Sequence, residues 1–273
     1  MERFTASDGA RIAYRDEGRG RPLVFLHGLM AHSGFFERQR SLADDFRLIA
    51  IDLRGHGESR DALGGRSIAR LADDVAEISA ALDLADAVGV GWSLGATILW
   101  RLLAGPAGRR FAGAVVVDMT PRVLNAEGWS LGLSRELCEA RTAAIRDDFQ
   151  AFAAGAGGAI FASPGPEADW AAEQFAANDP RAIGALWESL VEEDARDALP
   201  AIRQPTLIVR GAHSHLYGAS TADYLAGALP TASAVEFAGS GHAPHLEEPD
   251  LFNATLRDFA AILPRAATER LTA

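Results

Sequence analysis

The segment Gly91-Trp92-Ser93-Leu94-Gly95 decides the fold of this chain of 273 residues. The apolar run Ala87-Val88-Gly89-Val90 precedes it, and the helix-forming run Ala96-Thr97-Ile98-Leu99-Trp100 follows it. A strand, a sharp turn and a helix in this order make a nucleophile elbow, in which the central serine has a strained backbone. Glycines two residues to either side let the neighbouring chain approach. The pattern predicts that Ser93 presents its hydroxyl above a strand end, beside a helix N-terminus.

Strand-like and helix-like segments alternate on both sides of this elbow. Residues 2–6 and 11–17 flank a turn sequence and predict an antiparallel hairpin. The predicted elements that follow are a strand at 22–26, a helix at 33–45, a strand at 46–51, a helix at 67–82, the elbow, and a strand at 113–117. Such alternation predicts an α/β fold whose parallel strands are joined by helical crossovers.

Polar residues recur where these strands end. His27-Gly28, Asp52, Ser93 and Asp118 each follow a predicted strand directly. Because ligands bind at the carboxyl ends of the strands of such a sheet, the sequence predicts a site at this edge.

The alternation stops after Asp118. Residues 121–200 hold no convincing strand and are interrupted by Gly155-Ala156-Gly157-Gly158 and Ser163-Pro164-Gly165-Pro166. We expect short helices that form a cap over the strand ends. The sheet then resumes with a strand at 206–209, a helix at 221–229, a strand at 234–237 and a closing helix at 249–263. The predicted domains are a core of 1–120 and 201–273 and a cap of 121–200.

The composition limits the classes of partner. The chain has 26 basic and 37 acidic residues and a formal net charge of −11, which disfavours nucleic acid and anionic membranes as partners. A single cysteine, Cys138, excludes an intramolecular disulfide. No apolar signal-peptide core or membrane-length apolar run is evident, so we expect a cytoplasmic protein.

A serine nucleophile needs a base, and His242 is the best candidate among seven histidines. It lies in the glycine-rich loop Ala238-Gly239-Ser240-Gly241-His242, directly after the last predicted strand. A loop at that position can reach back over the sheet to Ser93.

Four motifs together carry a resemblance to a known family. They are His27-Gly28-Leu29-Met30, Asp52-Leu53-Arg54-Gly55-His56-Gly57-Glu58-Ser59, the elbow, and Gly241-His242-Ala243-Pro244-His245-Leu246-Glu247-Glu248-Pro249. The chain resembles the α/β-hydrolase-fold enzymes of the branch that holds esterases, carbon–carbon bond hydrolases and cofactor-free haloperoxidases. It is also similar to the methyl ester esterases that act on pimeloyl-carrier esters. The resemblance implies a mostly parallel eight-stranded sheet flanked by helices, with a helical cap inserted after strand 6, and no cofactor.

The resemblance also implies an oxyanion hole made of two backbone N–H groups. One belongs to the residue after the nucleophile, here Leu94, and the other follows the His-Gly pair, here Leu29. A backbone donor fixed by a turn contributes roughly 3 kcal/mol to transition-state stabilisation.

The triad acid departs from the commonest pattern of the family. The stretch Gly211-Ala212-His213-Ser214-His215 has Ser214 where an Asp is expected, and a serine cannot stabilise an imidazolium as a carboxylate does. Asp118, at the end of the strand before the cap, is the predicted acid. Asp194, Asp197 and a dyad without an acid remain alternatives.

Further residues are predicted from their position near this edge. We expect the substrate to contact His27, Trp92, His215, Trp129 and Trp187. His27 is also expected to orient the oxyanion loop. His213 and His215 have no evident third partner, so no metal site is predicted.

These features together predict a serine hydrolase that cleaves a small-molecule carboxylic ester, of small or medium chain length, through an acyl-enzyme. Carbon–carbon cleavage, lactone hydrolysis and perhydrolysis use the same groups and remain alternatives, as does a small-molecule sensor with slow or no turnover. An acyl-carrier protein is a further conceivable partner, for which Arg122, Arg135, Arg141 and Arg146 offer a local basic patch. The oligomeric state does not follow from the sequence.

Overall fold

This computed structural model describes residues 1–62, 64–163 and 165–264. Its strands form a single eight-stranded sheet. The strands are β1 (Glu2–Thr5), β2 (Arg11–Gly18), β3 (Arg21–Leu26), β4 (Phe46–Ile51), β5 (Ala87–Trp92), β6 (Phe111–Val117), β7 (Thr206–Gly211) and β8 (Ala232–Phe237). Their order in the sheet is β1-β2-β4-β3-β5-β6-β7-β8. The pairs β1–β2 and β2–β4 are antiparallel, and the remaining pairs are parallel. The predicted α/β class and mostly parallel sheet are confirmed.

Helices flank this sheet, as predicted. The α-helices are α1 (Ile68–Ala81), α2 (Leu94–Ala104), α3 (Arg135–Asp147), α4 (Phe149–Ala159), α5 (Pro166–Ala176), α6 (Pro180–Glu192), α7 (Ala219–Ala228), α8 (Pro244–Glu247) and α9 (Pro249–Ile262). Helix α1 shows why these segments fold as they do. The Ser67 side chain accepts a hydrogen bond from the Arg70 amide and caps the helix, and its apolar residues recur at helical spacing and are buried.

Strand order places the ends of β3 and β5 side by side. Leu26 pairs with Gly91, whereas β4 lies on the other side of β3. The chain therefore changes direction across the sheet between β4 and β5. A crevice opens above the strand ends at such a switch point, and it is the usual ligand site of an open α/β sheet.

Helices α3 to α6 lie between β6 and β7, and we call residues 121–200 the helical insertion. Apart from isolated β-bridges, this stretch contains no strand among its described residues. The helical character expected for the cap is thus present. The domain boundaries at 120 and 200 stay a prediction, and residues 265–273 of the predicted core lie outside the described residues.

Two local features go beyond the sequence prediction. The helix predicted at 33–45 is present as a 3-10 helix, Ser33–Asp44, which is interrupted at Phe36 (φ −104°, ψ 18°). The short helix α8 after His242 was not predicted, because its four residues are too few to show a helical period.

Of the helices in residues 1–62, 64–163 and 165–264, none is long and apolar enough to cross a membrane.

Candidate active site

Ser93 sits at a sharp turn between β5 and α2. Its φ of 52° and ψ of −121° are a strained conformation for a residue with a side chain. The flanking glycines make this turn possible. A Cβ on Gly91 would lie 2.5 Å from the carbonyl oxygen of Gly95, and one on Gly95 would lie 2.1 Å from that of Leu26. The close approach of these backbones therefore requires glycine at both positions.

Backbone hydrogen bonds align the end of β6 with the elbow. The amide of Ser93 donates to Val117 O over 3.0 Å, and the amide of Asp118 donates to Val209 O over 2.8 Å. Asp118 then turns out of the ladder with a positive φ of 45°. Its carboxylate is thereby held at the same strand edge as Ser93.

His242 meets this carboxylate. Its Nδ1 lies 2.6 Å from Oδ2 of Asp118, and both residues are buried. A carboxylate only accepts hydrogen bonds, so the contact places the proton on Nδ1 and leaves the lone pair of Nε2 available. An imidazole in this tautomer can act as a general base.

Asp118 is also bound by Ser214, the residue at the position where the family commonly has an acid. The Ser214 hydroxyl donates to Asp118 Oδ2 over 2.5 Å. The alternative acids lie elsewhere: Asp194 pairs with Arg122 and Arg196, and Asp197 is exposed. The structure therefore brings Asp118, and neither alternative, to the histidine.

The loop that carries His242 is held from two directions. The Glu247 carboxylate accepts hydrogen bonds from the amides of Gly241 and Ala162, each over 2.7 Å. Burial raises the pKa of Glu247, and these backbone hydrogen bonds oppose the rise. On the other side, Trp92 Nε1 donates to the carbonyl oxygen of His242 over 2.8 Å. The position of the imidazole is therefore set by the helical insertion as well as by the sheet.

The loop after β3 carries the first predicted oxyanion donor. Met30, its central residue, has a positive φ of 68°, and its amide donates to His56 Nε2 over 3.1 Å. No acceptor among the described residues takes the amide N–H of Leu29 or of Leu94. Leu94 is the first residue of α2, whose initial N–H groups have no partner within the helix. Both amides are thus free to bind an anionic oxygen.

His27 is a structural residue of this loop. Its side chain is fully buried, with Nδ1 donating to Gly28 O over 2.8 Å and Nε2 accepting from the Leu53 amide over 3.0 Å. Burial holds the pKa of His27 well below its ordinary value, and His56 acts in the same direction. Both ring nitrogens of His27 are therefore used to join the loops after β3 and β4, and its expected contact with the substrate stays a prediction.

A cavity of about 340 Å³ lies between the strand ends and the helical insertion. Ser93 and His242 line it from the sheet side, together with Trp92. The residues that contribute from the other elements are Gly28, Leu29, Met30, Arg141, Ala151, Phe152, Gly155, Ala156, Ala159, Ile160, Phe175, Trp187, Leu190, Leu216 and Tyr217. Most of this wall is apolar, so the cavity suits an apolar group beside the serine.

Comparison with known proteins agrees with this architecture. The family model for the alpha/beta hydrolase fold matches residues 21–249. The chain belongs to the α/β hydrolase fold family. A pimeloyl-[acyl-carrier protein] methyl ester esterase from Xanthomonas oryzae pv. oryzae is 33% identical over 256 residues, which cover 90% of this chain and 98% of that protein. A non-heme haloperoxidase from Rhodococcus erythropolis is 30% identical over 273 residues, covering 95% of this chain and 99% of that protein. The solved structure of the esterase EaEST from Exiguobacterium antarcticum matches with a TM-score of 0.90 and 27% identity, covering 95% of this chain and 98% of that one.

Two further residues of this α/β hydrolase that were predicted to contact the substrate do not line this cavity. Trp129 packs edge-on against Tyr224, lies under the guanidinium of Arg196, and donates to the carbonyl oxygen of Arg122. It is therefore buried in a cluster away from the cavity. His215 is exposed on the loop after β7 and does not line the cavity. Trp92 and Trp187, by contrast, line the cavity, and their contact with the substrate stays a prediction.

Several lining residues of this hydrolase escaped the sequence analysis. Tyr217 and Leu216 enter the cavity from the loop after β7, and Phe152 and Ile160 enter from the insertion. One signal was available: the glycine-rich run at 155–158 lies in α4, where Gly155 and the neighbouring alanines leave room on the cavity side.

Carboxylates partly balance the four arginines that the sequence offered as a basic patch. Arg122 pairs with Asp194 and Arg146 with Asp147, whereas Arg141 faces the cavity. Binding of an acyl-carrier protein by these arginines stays a prediction. Among the described residues, no group of three or more potential ligands could hold a metal ion.

Proposed function

We propose that this α/β hydrolase is a serine esterase that cleaves a small-molecule carboxylic ester through an acyl-enzyme. One observation carries the proposal: Ser93 and His242 line the same cavity, and His242 is hydrogen-bonded through Nδ1 to the buried carboxylate of Asp118. Nucleophile, base and orienting acid are the three groups that acyl transfer requires.

The first half of the reaction forms the acyl-enzyme. The Ser93 hydroxyl attacks the ester carbonyl carbon while Nε2 of His242 takes its proton, and Asp118 stabilises the imidazolium. The negative charge develops on the former carbonyl oxygen. The unpaired amides of Leu29 and Leu94 would bind that oxygen as the bond to the alcohol breaks and His242 returns the proton to the alcohol.

The second half releases the acid. A water molecule gives a proton to His242 and attacks the acyl carbon, and the bond to Ser93 Oγ then breaks as His242 protonates the serine. The sum is one ester and one water converted into one acid and one alcohol. The apolar wall above the serine favours an apolar acyl chain, and the volume of about 340 Å³ indicates a small or medium one.

The relatives support this proposal. The pimeloyl-[acyl-carrier protein] methyl ester esterase and EaEST are named as esterases, and both align with nearly the full length of this chain. A carboxylic ester is therefore the substrate class that sequence relationship and site chemistry both favour.

Steady-state hydrolysis of p-nitrophenyl acetate, butyrate and octanoate by the wild type, Ser93→Ala and Ser233→Ala tests the proposal. Ser233 is an exposed serine on β8 and serves as the matched control. We expect many turnovers per molecule with the wild type and Ser233→Ala, and none above background with Ser93→Ala. A single burst of p-nitrophenol from folded wild type would instead support a sensor with slow turnover. Hydrolysis that persists in Ser93→Ala would exclude Ser93 as the nucleophile.

A further inference from the structure

The cavity wall contains one charged side chain that the proposed reaction does not use. Arg141 of α3 reaches the cavity from the helical insertion, opposite the sheet that carries Ser93. Among the described residues that line the cavity, it is the only arginine, lysine, aspartate or glutamate. A cation placed in an otherwise apolar wall needs an explanation.

No carboxylate compensates this charge. Within the described part of the chain, Arg141 forms no ion pair and donates no hydrogen bond, whereas most other arginines of the insertion are paired. Its side chain is half-buried, so water screens it less than it would a surface arginine. The guanidinium is thus available to an anion that enters the cavity.

Three neighbours of Arg141 are the uncharged side chains of Trp187, Tyr217 and Cys138. Its Cζ lies 5.6 Å from the centre of the Trp187 ring, a cation–π contact. Burial raises the pKa of the Tyr217 hydroxyl and of the Cys138 thiol, and the positive charge of Arg141 opposes both shifts. Both groups remain neutral at ordinary pH, so neither can serve as a counter-ion.

The contact with Trp187 also orders the guanidinium. An aromatic face attracts the cation without taking its N–H donors, so all five remain for a ligand. Trp187 is itself fixed, because its Nε1 donates to Thr142 Oγ1 over 3.0 Å. The planar fork of an ordered arginine matches the two oxygens of a carboxylate, and binding loses less side-chain entropy than it would with a mobile arginine.

We propose that Arg141 binds a carboxylate on the acyl part of the substrate, so that the preferred substrates are half-esters of dicarboxylic acids. This inference rests on the proposed esterase function, because it assigns the group at the far end of the acyl chain that Ser93 attacks. A single arginine balances one carboxylate charge, whereas a phosphate dianion would leave a negative charge in an apolar wall. Hydrolysis of such a half-ester consumes one water and yields one alcohol and one dicarboxylate, with release of one proton at neutral pH.

The kinetic test compares monoethyl adipate with diethyl adipate, which have the same chain but differ in the remote charge. The measured quantity is the ratio of kcat/KM for the monoester to that for the diester, in the wild type, Arg141→Gln and Arg135→Gln. Arg135 is an exposed arginine on the same helix, forms no ion pair with any other described residue, and is the matched control. We expect a ratio of about ten or more in the wild type and in Arg135→Gln, because a charge-assisted bidentate contact is worth about one power of ten in affinity. In Arg141→Gln the ratio should fall to one or below. A wild-type ratio near one, or a ratio that survives in Arg141→Gln, would overturn the proposal.

Direct binding separates this inference from the esterase assignment. In Ser93→Ala neither ester is consumed by the serine, and calorimetry then measures their affinities directly. We expect Ser93→Ala to bind monoethyl adipate at least tenfold more tightly than diethyl adipate, and Ser93→Ala/Arg141→Gln to lose this preference. Ser93→Ala/Arg141→Lys should retain part of it, since the charge remains but the fork is lost. A preference seen here without turnover in the wild type would refute the esterase function alone, and turnover without a preference would refute the carboxylate site alone.

Discussion

The hydroxyl of Ser214 and the carboxylate of Asp118 are joined by a hydrogen bond of 2.5 Å to Oδ2, the same oxygen that lies 2.6 Å from Nδ1 of His242. Ser214 follows β7 and Asp118 follows β6, so neighbouring strand ends converge on one carboxylate oxygen. In the proposed triad the acid therefore follows β6, and Ser214 on the loop after β7 donates a hydrogen bond to it.

This arrangement predicts that Asp118 is essential and Ser214 is not. Asp118→Asn should lower kcat for p-nitrophenyl butyrate by about a thousandfold or more, because an amide can favour the wrong imidazole tautomer and cannot stabilise the imidazolium. Ser214→Ala removes one donor and leaves the carboxylate in place, so its loss should stay within about tenfold. Asp197→Asn, at an exposed position, is the control. Near-wild-type turnover by folded Asp118→Asn would refute the relocated acid.

The same convergence predicts that the acid can be moved back. In Asp118→Asn/Ser214→Asp the carboxylate starts from the loop after β7, next to the position of Asp118 Oδ2. We expect this double variant to regain at least tenfold in kcat over Asp118→Asn. Ser214→Asp alone should be less stable than the wild type, because two adjacent buried carboxylates cannot both ionise without cost. Equal kcat values for Asp118→Asn and Asp118→Asn/Ser214→Asp would show that a carboxylate at position 214 cannot reach the imidazole.

The sequence was sufficient to predict the strand-end residues because their positions follow from alternation and strand direction. Ser93, Asp118 and His242 each come directly after a strand or in the loop after one, and strand ends converge in a parallel sheet. No comparable rule governs the helical insertion. There Trp187 faces the cavity and Trp129 does not, a difference set by helix packing rather than by local pattern.

The hydrogen bond from Ser214 to Asp118 could not be predicted from the sequence either. A serine in a loop is usually a turn residue, and its bond to Asp118 depends on the lateral spacing of β6 and β7. The lowered pKa values of His27, His56 and His245 could not be predicted from the sequence either, because they result from burial in the folded structure.

Three such histidines predict an acid-sensitive fold. Burial lowers the pKa of His56 to about 4 and of His245 to about 3, and holds that of His27 well below its ordinary value. Below about pH 6.5 these histidines are protonated in the unfolded chain but not in the folded protein. Unfolding therefore takes up protons, and the free energy of unfolding decreases as the pH is lowered. Each histidine contributes a slope of up to about 1.4 kcal/mol per pH unit.

Urea unfolding at pH 8, 7, 6 and 5 measures this dependence. The free energy of unfolding should be nearly constant from pH 8 to 7 and should then fall by several kcal/mol towards pH 5. A constant value down to pH 5 would mean that the three imidazoles become protonated without unfolding.

His245 differs from His27 and His56 in its hydrogen bonding. Both of its ring nitrogens are buried and have no hydrogen-bond partner within residues 1–62, 64–163 and 165–264, and the ring lies among Phe36, Trp92 and Phe252. His245→Phe removes two unsatisfied polar atoms and should raise the free energy of unfolding at pH 8 by about 1 kcal/mol. The variant should also take up one proton fewer on unfolding in acid. The slope of the free energy of unfolding against pH then falls by up to about 1.4 kcal/mol per pH unit. His213→Phe, at an exposed position, is the control and should leave the slope unchanged. An unchanged slope in His245→Phe would contradict the neutral assignment.

Glu247 is expected to couple the helical insertion to the catalytic loop. One carboxylate oxygen accepts from the Ala162 amide of the insertion and the other from the Gly241 amide beside His242. Glu247→Ala leaves both amides without this partner, and each unsatisfied buried amide costs roughly 1–3 kcal/mol. We expect lower stability, at least tenfold lower kcat and faster hydrogen exchange at both amides. Glu248 provides the matched variant, because its carboxylate binds Gly239 and Ser240 within the same loop. Glu248→Ala should therefore disturb the loop without faster exchange at Ala162. Equal exchange at Ala162 in the two variants would show that Glu247 holds the loop alone and does not link it to the insertion.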